Sequence, residues 1–153
     1  MSFAVTSSAF GNGATIPQKF TCSGSDVSPA LEWSGAPAET KAFALIADDP
    51  DAPAGTWVHW VVWNIPATSK SLPEAVEKKE QLDNGTLQGR NDFKRVGYGG
   101  PCPPAGKPHR YFFKLYALYA PLELKSGATK AQLEQAMKGH VIANTELMGT
   151  FAR

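Results

Sequence analysis

Only two cysteines, three histidines and three methionines occur in 153 residues, and the formal net charge is +1. Cys22 and Cys102 are too few for a disulfide framework, and no paired C-x-x-C spacing signals zinc. They read as buried or half-buried thiols, with a bridge between two Gly/Pro/Ser-rich loops as the alternative. The near balance of charge excludes a bulk electrostatic grip on nucleic acid. No stretch approaches the ~18 apolar residues that span a bilayer, and residues 1–10 lack a basic start followed by a long apolar core. A cytoplasmic protein without a transmembrane segment is the expectation. No internal repeat or low-complexity linker interrupts the chain, so a single domain over residues 1–153 is expected. It is large enough to fold without a metal or disulfide, and no cofactor is expected.

What is abundant is punctuation. Twelve prolines and fourteen glycines cut the whole length into short segments, the pattern of a many-stranded antiparallel domain. Ala42 to Ala47 reads as a buried strand, stopped where Asp48-Asp49-Pro50 forbids a central strand. Trp57 to Ile65 carries tryptophans every third residue, but its β-branched residues and closing proline favour a strand over a helix. Simple alternation places Trp57, His59, Val61 and Trp63 on one face. Arg110 to Ala120 is apolar on both faces apart from Lys114, hence central in its sheet, with His109, Tyr111, Phe113 and Leu115 on one side. Residues 71–95 are charged and irregular, with Asn84-Gly85 as a turn. Thr129 and Gln132 form a capping box before Leu133, Ala136 and Met137, and Gly139 suits the helix end. Ala143 to Phe151 is a last strand, or a helical turn if Ala143, Leu147 and Met148 set the period.

Chemistry concentrates at the strand edges. Asp49, His59 and His109 each fall at the edge of a strong strand, and Gly99-Gly100 offers backbone amides to whatever approaches. Taken singly, Asp-Pro-Asp is turn chemistry and a strand histidine among tryptophans is a core residue. Taken together, two imidazoles and the Tyr111 phenol can donate hydrogen bonds to an oxyanion, while Asp49 can charge a histidine or accept a proton from a monoprotonated phosphate. Affinity is then expected to peak roughly between pH 5 and 7, where His59 or His109 is protonated and the ligand carries one acidic hydrogen.

The ordered set Ser28-Pro29-Ala30-Leu31-Glu32-Trp33, Asp49-Pro50-Asp51-Ala52-Pro53, His59, Gly99-Gly100-Pro101-Cys102-Pro103-Pro104 and His109-Arg110-Tyr111 resembles the phosphatidylethanolamine-binding protein family. The likeness is greatest to its bacterial and archaeal branch of Raf-kinase-inhibitor-like proteins. The resemblance implies a mainly β fold of antiparallel sheets, sandwich-like, with one or two short helices. It also implies a small pocket for a phosphate or phosphoryl group, lined by Asp49, His59, Gly100, His109 and Tyr111, with Trp57 and Pro104 at the rim. Asp51 would hold the loop, and a cis peptide would precede Pro53. With Arg153 as the last residue of the sequence, the C-terminal helix that borders the pocket in eukaryotic members is not expected here.

The function this supports is a small anion-binding module, regulatory or inhibitory, with a kinase or peptidase as a conceivable regulated partner and no enzymatic role. One alternative is a hydrolase using Asp49, His59 and His109 as acid, base or metal site. A Cys102 thiolate activated by His109 is a variant of it. The other is a peptidase inhibitor acting through the loop from Pro101 to Pro108. Ligand, partner and oligomeric state are not legible.

Overall fold

The computed structural model describes residues 2–153. Along the chain run β1 (Ala4–Thr6), a 3₁₀ turn (Gln18–Phe20), β2 (Leu31–Ser34), β3 (Ala42–Asp49), β4 (Trp57–Pro66), β5 (Ser71–Leu72) and β6 (Leu87–Gln88). They are followed by β7 (His109–Leu118), α1 (Lys130–Met137) and β8 (Val141–Phe151). The strands form two antiparallel sheets, β1-β2-β5 and β6-β4-β3-β7-β8. The mainly β, sandwich-like fold expected from the sequence is what forms.

Strand β3 is buried at all eight positions because both faces of the five-stranded sheet are covered. On one face Phe43, Leu45, Trp60, Val62, Phe113 and Leu115 meet Val5, Leu31, Trp33 and Leu72 of the small sheet. On the other, Ile46, Val61 and Trp63 pack on Leu133 and Met137 of α1. Leu45, Trp60, Leu115 and Leu133 are completely inaccessible to solvent, each such side chain contributing about 1.5–3 kcal/mol of apolar burial. The helix begins with the expected capping box: Thr129 Oγ1 accepts from the Gln132 amide, and the Gln132 side chain accepts from the Thr129 amide. Gly139, at φ 79°, turns the chain out of it.

Simple alternation fails in β4, and the failure shapes the site. Trp60 pairs with Ala47 and Val58 with Asp48, so His59 is an extra residue on the bulged strand. A second irregularity follows between Val62 and Ile65, where Asn64 takes φ 54° and its amide bonds both backbone groups of Leu122. Trp60, Val62 and Ile65 therefore face the small sheet, while Val58, Val61 and Trp63 face the helix. Val61 and Trp63 thus do not share a face with His59. The last segment is a strand throughout, paired with β7 from His109↔Phe151 to Leu118↔Val141, because an in-register partner of that length outweighs the weak helical period.

Candidate functional site

Three strand ends meet at one edge of the five-stranded sheet. Asp49 closes β3 opposite Trp57, which opens β4, and His109 opens β7 beside β3. The bulge turns His59 toward Tyr111, with ring centroids 5.3 Å apart. Asp49, Trp57, His59, Pro104, His109 and Tyr111 thereby line one cavity of about 190 Å³, room for roughly six waters. Gly100, also nominated from the sequence, does not line it.

Hydrogen bonds fix the state of each polar group. The Nδ1–H of His109 donates to Asp49 Oδ2 at 2.7 Å, and Asp49 Oδ1 accepts the Asp51 amide at 2.7 Å. Both carboxylate oxygens are thus engaged, and Asp49 orients His109. Asp51 grips the start of β7, accepting from the Arg110 amide at 3.0 Å, from Nε at 2.9 Å and from Nη2 at 2.8 Å. The Arg110 side chain bound to it holds the Asp51 carboxyl at about 2. Asp51 thus ties its loop to β7 through Arg110, where the resemblance implied hydrogen bonds internal to the loop.

His59 differs from the expected donor. Its Nδ1 lies 2.6 Å from the Gly99 carbonyl oxygen, which can only accept, so Nδ1 carries the proton. Burial, opposed by the Gly99 bond and by Asp49, pushes the imidazole down from its ordinary value and so favours the neutral ring. Nε2 is left as a lone pair. Tyr111, 3% exposed, lies edge-on to His59 and stacks with His109 at 6.4 Å. Its hydroxyl is buried without a hydrogen-bond partner, and burial first, then Asp49, raises its pKa above the ordinary tyrosine value. It remains a neutral phenol able to donate.

The glycine loop supplies no free amides at Gly99 and Gly100. Gly99 N–H bonds the His59 carbonyl at 2.9 Å and Gly100 N–H bonds Asp26 Oδ1 at 2.7 Å. A Cβ on Gly100 would collide with the Phe20 carbonyl oxygen, so the glycine permits close packing rather than ligand contact. Cys102 lies in the cavity wall, disulfide-bonded to Cys22, which removes the thiolate reading. No cis peptide occurs among the described residues. Pro53 instead occupies the second position of a turn closed by Gly55 N–H to the Ala52 carbonyl, where a trans proline fits.

Sequence reasoning missed Phe93, whose ring packs at 5.5 Å against both Trp57 and His59. The signal was an aromatic residue alone in the charged run Asn91-Asp92-Phe93-Lys94-Arg95. Asn91 folds that loop over the cavity, its side chain accepting from the Phe93 and Arg95 amides and donating to the Gly97 carbonyl. Pro103 and the Ala52-Pro53 loop complete the wall.

The family model described as phosphatidylethanolamine-binding protein matches residues 6–152. The chain belongs to that family. A phosphatidylethanolamine-binding protein homolog from Chlamydia trachomatis, known from its crystal structure, is 41% identical, superposes with a TM-score of 0.91 and is covered over 98% of its length by 99% of this chain. YbcL of E. coli, described as a member of the mammalian family, gives a TM-score of 0.93 at 38% identity, with 100% of this chain and 99% of that one covered. A UPF0098 protein of Methanothermobacter thermautotrophicus is 49% identical over 145 residues, 95% of each chain, and one of Aquifex aeolicus is 48% identical over 151 residues, 97% of this chain and 88% of its own. Among the described residues of this family member, no group of three or more His, Cys, Asp or Glu is arranged to hold a metal ion, and no helix is long and apolar enough to cross a membrane.

Proposed function

We propose that the protein is a binding module that captures a small phosphorylated or otherwise anionic group in the cavity between Asp49, His59, His109 and Tyr111. The observation that carries this reading is Tyr111, which lines the cavity and whose buried hydroxyl has no hydrogen-bond partner in the protein. A buried hydroxyl without a partner is disfavoured by about 1–3 kcal/mol, and a bound oxygen would relieve that cost. Trp57, Phe93, Pro53 and Pro104 surround the polar floor with apolar surface, which strengthens a hydrogen bond made inside it. The small volume suits a head group or a phosphoryl group rather than a drug-sized guest.

The role we assign is regulatory or inhibitory, exerted on a protein partner such as a kinase or peptidase, rather than enzymatic. The imidazoles are tied to Asp49 and Gly99, and the sulfur in the wall is bridged, so acid–base groups stand beside no activated nucleophile. The Cys22–Cys102 bridge also bears on location, since disulfides persist in oxidising compartments. It supports such a compartment against the cytoplasmic expectation.

Titration of the isotope-labelled, oxidised protein with inorganic phosphate at pH 6 tests the reading. Saturable shifts of Tyr111, His59 and His109 resonances are expected. Shifts elsewhere only, or none at millimolar phosphate, would overturn it.

A further inference from the structure

The five-stranded sheet ends on β8, and only part of that edge is closed. Gly13 N–H bonds the Met148 carbonyl at 2.7 Å, Ile16 N–H the Thr150 carbonyl at 2.7 Å, and Thr150 N–H the Ala14 carbonyl at 2.9 Å. The Asn12 side chain accepts the Met148 amide at 2.9 Å. Met148 and Thr150 therefore turn their backbone groups away from β7, and alternation in the unbroken register from Phe151 to Ala143 turns those of Glu146 and Asn144 the same way. Their N–H and C=O groups have no backbone partner on that side among the described residues. The opposite edge is closed: β6 has two residues, and the Gly89, Asp92 and Gly99 amides bond the Val61, Val58 and His59 carbonyls of β4.

An open edge is a template for another strand, and proteins blunt such edges with lysine, proline or short strands. Residues 141–147 contain neither lysine nor proline, and Glu146 is their one charge. Tyr119, 52% exposed, and Val141, 37% exposed, stand at the start of this stretch. On the helix side Tyr116 lies opposite Asn144, and Lys114 opposite Glu146. Burial first, then Glu134 of α1, Asp48 and Glu146, raises the Tyr116 hydroxyl above its ordinary value, so these carboxylates gather around it. Lys114 and Lys130 are committed to Asp48, and neither Glu134 nor Glu146 has a salt-bridge partner among the described residues. A half-buried aromatic ring beside two unpaired carboxylates fits a guanidinium or ammonium group.

We infer that the open stretch of β8 is a docking edge for an extended segment of another protein, which adds as a sixth strand and lays an arginine or lysine over Tyr116 between Glu134 and Glu146. Main-chain bonds to Asn144 and Glu146 supply the grip, and the cationic side chain the selectivity. A second copy does not meet this requirement, because Val141–Phe151 holds no lysine or arginine to bring to Tyr116 in any register. The surface lies on the half of β8 away from Phe151 and the cavity, so it stands or falls apart from the anion reading.

The test titrates the isotope-labelled, oxidised protein with a capped heptapeptide of threonine and valine carrying a central arginine, and with its counterpart carrying glutamate there. Saturable amide shifts over residues 142–146, slowed exchange of the Asn144 and Glu146 amides, and binding at least about fivefold tighter for the arginine peptide are expected. Asn144→Pro removes one outward N–H at an edge position, where proline is tolerated, and should abolish binding while leaving the urea-unfolding midpoint nearly unchanged. The double variant Glu134→Arg/Glu146→Arg leaves the backbone intact and should reverse the preference toward the glutamate peptide, which keeps the test decisive if proline disturbs β8. Equal affinity for the two peptides, shifts confined to residues outside β8, or no binding at millimolar peptide would overturn the inference. So would self-association in sedimentation that Asn144→Pro abolishes, which would assign the edge to a second copy.

Discussion

Asp48 and Asp49 are consecutive on β3 yet serve opposite layers of the molecule: Asp48 meets Lys130 at 2.9 Å and Lys114 at 3.3 Å on the helix side, and Asp49 meets His109 at 2.7 Å in the cavity. Strand alternation produces the split, sending one carboxylate to a structural ion cluster and the other to the site.

The Asp48 cluster should matter for folding alone. Its side chain is 1% exposed and Oδ1 has no hydrogen-bond partner, so removing a lysine leaves the charge poorly compensated. Lys130→Met is expected to lower stability by about 1–3 kcal/mol in urea unfolding while leaving phosphate affinity within twofold.

The Cys22–Cys102 bridge links positions 80 residues apart and ties the loop after the 3₁₀ turn to the cavity wall. Closing so long a loop restricts the unfolded chain, and the double variant Cys22→Ser/Cys102→Ser should lose about 2–4 kcal/mol relative to the oxidised protein. Urea unfolding of the two proteins provides the comparison. Equal midpoints and slopes would show that the bridge adds nothing.

Much of this was readable before any coordinates. The capping box at Thr129 and Gln132, the apolar runs of β3 and β7, and the gathering of Asp49, His59, His109 and Tyr111 follow from local patterns that tertiary packing did not override. What stayed hidden was geometry created between segments. The bulge at His59 is a mismatch between two paired strands, and neither strand carries it alone. The use of the Gly99 and Gly100 amides depends on His59 and Asp26, distant in sequence. Phe93 joins the site only because Asn91 folds its loop back. The left-alone cysteines gave no sequence reason to choose a bridge over thiols.

His59 should give stability a pH dependence. Its folded pKa lies below the ordinary value of 6.5, so below that pH the unfolded chain binds a proton that the native ring refuses. Stability should therefore fall as pH drops through 6.5, with a slope from this residue of at most about 1.4 kcal/mol per pH unit. Urea unfolding from pH 7.5 to 5 should show a shallower decline in His59→Gln than in the wild type.

Asp51 should act in the opposite window. Its carboxyl is held at about 2 by Arg110, below the ordinary 3.8, so the stabilisation is complete above pH ~4 and is lost as pH falls toward 2. The pair is partly exposed, so Asp51→Asn should cost less than about 1 kcal/mol at pH 7. Thermal unfolding at pH 7 and pH 2 should show that difference shrinking in acid.

Histidine replacement is a poor probe of the cavity's purpose, because His109→Ala strands the Asp49 carboxylate, whose side chain is only 5% exposed, and so perturbs folding as well as binding. Tyr111→Phe is the direct test. It removes one hydroxyl that the protein itself does not use and keeps the ring packed between His59 and His109. Calorimetric titration with inorganic phosphate at pH 6, alongside urea unfolding, should find affinity weakened by about 1–3 kcal/mol and stability unchanged or raised. Phosphate affinity identical to the wild type would contradict the claim that this hydroxyl awaits an anion.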